Sequence, residues 1–155
     1  MQIPALSARQ VLLPMRVVIG LGFLVHGLTK LNRGPAKFGA LLNQLGIPLP
    51  LPTAWLTTAT EIVGGIALIV GAFVALAAIP LIATMLVAMF TIHIHNGFSA
   101  VNTIGLTPAG PLFGPPGYEI NLLYIAGLVA LALGGPTAAS LDALRRRRGD
   151  SSRGG

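Results

Sequence analysis

The chain has 155 residues, of which 54% are hydrophobic and only 9% charged, and its mean hydropathy is +0.80. So little polar material cannot cover a water-soluble domain, in which about a quarter of residues are charged. The net charge of +6 does not mark a nucleic-acid binder, because four of the ten basic residues form one run at 145–148 and no basic face remains for a duplex.

Cysteine is absent, which excludes disulfides, CxxC redox pairs, covalent haem attachment and thiolate-held iron–sulfur clusters. Redox chemistry would therefore need a bound cofactor or a protein partner.

A helix needs about 20 apolar residues to cross a bilayer. By that rule the first span covers residues 11–31. It differs from a secretory signal because His26 and Lys30 follow its apolar run and no small-x-small cleavage site does. Between the first and second spans, Pro35 starts a short helix over 36–45 that places Phe38, Leu41, Leu42 and Leu45 on one face. Gly46 ends it and Pro48, Pro50 and Pro52 forbid its continuation. This helix is expected at the membrane interface, with Trp55 anchoring the second span.

The second span is expected at 53–73 and the third at 74–95, joined by a very short turn that makes them antiparallel neighbours. Residues 96–117 carry five glycines, four prolines and no charge, so an irregular loop is expected. The fourth span is expected at 118–135. Small residues four apart, Ala67, Gly71, Ala75 and Ala126, Ala130, Gly134, suggest faces for close helix approach. The expected fold class is all-α: an integral membrane four-helix bundle with a short interfacial helix between spans one and two. It forms one domain over 1–144, followed by a basic, disordered tail over 145–155.

Orientation follows from lysine and arginine. Seven arginines lie at the two ends, against Lys30, Arg33 and Lys37 on the opposite side. Both termini are therefore expected in the cytoplasm. A short basic cluster beyond an apolar segment also meets anionic lipid.

Ionisable groups inside a membrane are costly and usually mark a site. His26, Glu61, His93 and the trio Tyr118, Glu119 and Asn121 converge on the outer layer of the expected bundle. Glu61 is expected about 12 Å down its span at 1.5 Å per residue. There it must be protonated or paired, with His26 or His93 as the candidate partners. It could carry a proton, bind a ligand or form a structural pair. Lys30 is expected to snorkel outward.

His93 and His95 differ by about 200° on a regular helix, so both cannot face one centre unless the helix unwinds. His95 reads as an interface residue. Met85, Met89 and His93 share a face, and His93, Glu61 and Met89 are the metal candidates, although such a stripe is more often packing. Glu119 suits either the site or a favourable charge at a helix N-terminus. Tyr118, Asn121 and Tyr124 form a polar stripe that suits a quinone-like head group or the interface. No phosphate loop, nucleotide fingerprint or serine nucleophile elbow is present.

Several of these residues resemble one family in order and spacing. Arg16, His26-Gly27, Lys30 and the Leu45-Gly46-Ile47-Pro48 turn resemble the opening of the DoxX family. Glu61 with Gly64-Gly65, Leu68 and Gly71 resembles its second span. Met85-Leu86-Val87-Ala88, His93 and Asn96-Gly97-Phe98 resemble its third, and Tyr118-Glu119 and Ser140-Leu141-Asp142 its end.

The resemblance implies a four-helix protein of a bacterial-type inner membrane linked to redox systems. Similar proteins include a thiosulfate:quinone oxidoreductase subunit and members tied to oxidative-stress and thiol defence. It carries Glu61 and His93 over as catalytic positions and Glu119, His26 and Lys30 as cofactor-binding ones, to which the polar stripe adds Tyr118 and Asn121. The expected cofactor is a quinone or a transition metal. The expected partners are the bilayer and a redox-complex protein, with an oligomer possible and no nucleic acid. A small-molecule or ion transport module and a membrane anchor for a partner enzyme are the competing readings.

Overall fold

The computed structural model describes residues 8–137 and 139–145. The rest of the expected tail, 146–155, lies outside the described residues.

The chain is mostly helical. Helix α1 spans Ala8–Arg33, α2 Pro35–Gln44, α3 Pro50–Val70 and α4 Val74–Ala88. A π-helical turn at Met89–His93 and a 3₁₀ turn at Ile94–Asn96 continue α4. Strands β1 (Thr103–Thr107) and β2 (Gly110–Phe113) follow, then α5 (Glu119–Leu133).

Among the described residues, three helical stretches are long and apolar enough to cross a membrane: Gln10–Arg33, Pro50–Val70 and Val74–Asn96. The fourth apolar helix, α5, has 15 residues and is about 22 Å long, shorter than the expected span. The all-α class is corrected by the two-stranded sheet.

The loop expected to be irregular holds an antiparallel hairpin, with Leu106 opposite Pro111 and Thr107 opposite Gly110. Two features make it possible. Thr-Ile-Gly-Leu-Thr alternates polar or small residues with branched apolar ones. The two residues between Thr107 and Gly110 close the turn, helped by the Thr107 hydroxyl donating to the Gly110 carbonyl at 2.9 Å.

Helix α2 ends as expected. Gly46 is left-handed at φ 71°, and Ile47 N–H donates to the Leu42 carbonyl at 3.0 Å. The following prolines do more than stop α2. Pro50 begins α3, because the first helical turn has no use for its missing N–H. The second span therefore starts three residues earlier than expected.

Packing follows the glycines rather than the expected alanine stripes. A Cβ on Gly65 would lie 2.7 Å from both Gly20 O and Leu24 N, so α1 and α3 touch backbone to backbone. Ala75, Ala126 and Ala130 are exposed. The core is Ile19, Phe23, Leu68, Val74, Ala78, Leu81, Leu128 and Leu131. The Phe23 and Tyr124 rings meet edge to face at 5.3 Å.

Candidate functional site

Glu61 is buried at 2% exposure. Because α3 begins at Pro50, Glu61 stands near the middle of that 21-residue helix, about 16 Å along it and deeper than expected. Its partner is neither His26 nor His93. Lys30 Nζ donates to Glu61 Oε1 at 2.6 Å, with the lysine side chain 23% exposed. The expectation that Lys30 snorkels outward is corrected.

The lysine ammonium also lies over the ring of Phe38 of α2, with Nζ 4.5 Å from the ring centroid. The pair forms because Gly27 lets α3 approach: a Cβ there would lie 3.1 Å from Glu61 Cβ. The second carboxylate oxygen, Glu61 Oε2, is buried and has no hydrogen-bond partner. An unfilled buried acceptor costs about 1–3 kcal/mol.

Asn121 on α5 repeats the pattern. It is 2% exposed. Its Nδ2 donates to the Met85 carbonyl at 3.3 Å, while its Oδ1 is buried without a partner. Gly22 meets the Tyr124 hydroxyl and Gly127 meets Ile19, so α5 runs antiparallel to α1. One turn outward from Tyr124 brings Asn121 within about one turn of the height of Glu61. Four helices contribute to this layer: Lys30 from α1, Glu61 from α3, Met85 from α4 and Asn121 from α5. Of the residues expected to converge, this layer holds Glu61 and Asn121, joined by Lys30.

The remaining candidates stand apart. His26 is exposed on the surface of α1, and His95 is exposed in the 3₁₀ turn. His93 Nδ1 lies 3.0 Å from the Pro116 carbonyl, which Asn96 Nδ2 also reaches at 3.1 Å. A carbonyl only accepts, so Nδ1 carries a proton, and in the neutral ring Nε2 then keeps the lone pair. Met89 is buried in the π-helical turn, which breaks the regular spacing of the Met85, Met89 and His93 stripe.

Glu119 is tied to the loop, where its Oε2 accepts the Ala100 N–H at 2.8 Å. Tyr118 packs edge to face on Phe98 at 5.4 Å. Among the described residues, no three His, Asp or Glu side chains cluster closely enough to hold a metal ion.

A second polar cluster lies at the opposite end of the molecule, around Arg16. Arg16 is 1% exposed. It donates to the Thr137 hydroxyl, to Ile69 O at 3.2 Å and to Ala139 O at 3.0 Å. Beside it, the Asp142 carboxylate accepts the N–H groups of Phe73 at 3.0 Å and Val74 at 3.2 Å, and caps α4. Asp142 N–H returns a bond to Gly71 O at 3.0 Å. This clasp holds Phe73 in the left-handed region, φ 51°, which a bulky residue rarely adopts. A lone arginine five residues into an apolar run was the available signal, since such a group has to find partners.

Comparison with known families gives one match: the DoxX family profile covers residues 11–94. That stretch contains α1 from its fourth residue, α2 to α4, Lys30, Glu61 and His93, and stops before the hairpin and α5. No curated protein and no solved structure shows significant similarity to the chain.

Proposed function

The chain belongs to the DoxX family, and from that premise we propose that it is a subunit of a membrane redox system which binds a quinone-type head group in the Lys30–Glu61 layer. In this reading it crosses a bacterial-type inner membrane four times, with both ends in the cytoplasm, and works with a partner protein.

The observation that carries the reading is the unpartnered Oε2 of buried Glu61. Lys30 balances the carboxylate charge through Oε1 and leaves the other oxygen available. Asn121 Oδ1 is the second free acceptor of the layer. Two acceptors select a ligand that donates hydrogen bonds, and the hydroxyl groups of a hydroquinone do so. After Glu61 takes one hydrogen bond, the two remaining Lys30 protons suit a carbonyl oxygen. The residues thus fit both redox forms of the head group.

When bound, the quinone supplies two-electron, two-proton chemistry. The chain supplies the rest. Glu61 Oε2 holds or releases a proton. Lys30 keeps the carboxylate paired inside the membrane. Asn121, locked by Met85 O, orients the head group. His93, with its lone pair at Nε2, offers a proton acceptor at the end of α4, and Tyr118 and Glu119 brace the loop beside it. His26, exposed on α1, is left for contact with a partner.

The test compares a short-chain hydroquinone with its dimethyl ether, which has the same ring and no hydroxyl donor. The detergent-purified protein is expected to bind the hydroquinone at least about tenfold more tightly, about 1.4 kcal/mol. Equal affinities would remove the role given to the two acceptors.

A further inference from the structure

We propose that the β1–β2 hairpin is seated in the bilayer interface and completes, at the Glu119 end, the crossing that α5 is too short to make alone. The second half of this statement rests on the four-crossing reading above. The seating itself does not.

Length gives the first argument. Helix α5 has 15 residues, about 22 Å, against a hydrocarbon core of about 30 Å. Its register against α1, set by the contacts of Gly22 with Tyr124, Gly127 with Ile19 and Gly134 with Leu12, brings Glu119 to the height of Gly27. That is about six residues, or ~9 Å, short of the end of α1 at Arg33. The chain that leads from this end of α5 to the interface is the loop carrying the hairpin.

Attachment gives the second. The root of the hairpin is fixed to the ends of α4 and α5. Tyr118 N–H donates to Gly97 O at 3.1 Å, Glu119 N–H to Phe98 O at 2.9 Å and Gly114 N–H to Asn102 O at 2.8 Å. Glu119 Oε2 adds its bond to Ala100 N–H. The hairpin is therefore held at the height of the α5 N-terminus.

Surface chemistry gives the third. Residues 96–117 contain no charged side chain. Leu106 and Pro111 are directly paired and share one face, and Ile104 stands in the bulge between Thr103 and Gly105. Ile104 is 60% and Leu106 83% exposed. Phe90 and Ile94, on the stretch Val74–Asn96 that is long and apolar enough to span the membrane, and Phe98 just after it are exposed as well. A water-facing hairpin normally carries polar side chains on its open face. The outer strand edges still need hydrogen-bond partners, and open edges do not occur in hydrocarbon. The headgroup boundary satisfies both demands. The occupant of this face is therefore lipid.

The test uses the full chain in phosphatidylcholine vesicles. Trp55 is the one tryptophan and is exposed, so Trp55→Phe gives a silent background. In it, Leu106→Trp reports the hairpin, with Ile104→Trp, exposed at the bulge, as a second reporter. Seating predicts blue-shifted emission, quenching by lipids brominated near the headgroup and loss of iodide quenching. Red-shifted emission quenched by iodide would overturn the proposal and make the face a water-exposed docking surface. Shielding from both quenchers would also overturn it, because a second copy would then cover the face. Leu123→Trp, on the exposed side of α5, tests the crossing separately: deep bromines should quench it. Absence of that quenching removes the crossing and leaves the hairpin result to stand on its own reporters.

Discussion

Lys30 Nζ lies 2.6 Å from Glu61 Oε1, and the contact depends on Gly27, about one turn earlier on α1, where a side chain would press on Ile62 and Glu61. The ion pair and the helix contact are therefore one feature. Removing Lys30 leaves a buried carboxylate uncompensated, which costs about 3–5 kcal/mol. Lys30→Met should lower the melting temperature in detergent sharply. The double variant Lys30→Met/Glu61→Gln should recover most of the loss. If the double variant is no more stable than the single, the pair does not carry the charge balance assigned to it.

The α1–α3 contact makes a graded prediction. At Gly65 a new Cβ would press on two backbone atoms, Gly20 O and Leu24 N, both 2.7 Å away. At Gly27 the nearest atom, also at 2.7 Å, is the side-chain Cγ1 of Ile62, which is able to shift, and the backbone atom in reach, Ile62 N, is farther away at 3.0 Å. Overpacking costs about 1–3 kcal/mol, and the helix preference for alanine returns up to about 1 kcal/mol. Both variants should be destabilising, Gly65→Ala more so than Gly27→Ala. Thermal melts followed by circular dichroism would show the order, and its reversal would contradict the register.

The clasp at the other end is testable at backbone resolution. Asp142→Ala frees the N–H groups of Phe73 and Val74 and removes the cap of α4. A lost cap costs about 1 kcal/mol, and the left-handed Phe73 should become easier to open. Hydrogen exchange at residues 71–75 should accelerate, while exchange around Glu61 stays unchanged. Unchanged protection at 71–75 would mean that the turn holds without the carboxylate.

The loop beside His93 has a built-in redundancy. His93 and Asn96 both reach the Pro116 carbonyl. His93→Ala alone should therefore change stability by no more than about 1 kcal/mol, whereas His93→Ala/Asn96→Ala should loosen the loop and raise proteolysis within residues 97–117. A large loss from the single variant would show that His93 supports the fold in some other way.

Much of the fold was legible in the sequence because apolar run length is a one-dimensional signal. It marked the three membrane-length helices, the break at Gly46 and the short turn at Gly71. The hairpin was hidden, since five glycines and four prolines in 22 residues read as punctuation before they read as strands. Glu61 was legible as a lone acid in a span. Its partner was not, because the choice between Lys30, His26 and His93 depends on how far α1 slides along α3. That slide is fixed by Gly20, Gly27 and Gly65, which are common residues in any span. Arg16 was visible, but its burial depends on Thr137 and Ala139, more than a hundred residues away.

The most direct measurement extracts lipid from detergent-purified wild type and Glu61→Gln protein and quantifies quinone per chain in both redox forms. The account predicts near-stoichiometric quinone with the wild type and its loss from Glu61→Gln at unchanged helix content. Equal quinone in both proteins, or none in the wild type, would contradict it and leave the Lys30–Glu61 pair as a structural bond between α1 and α3.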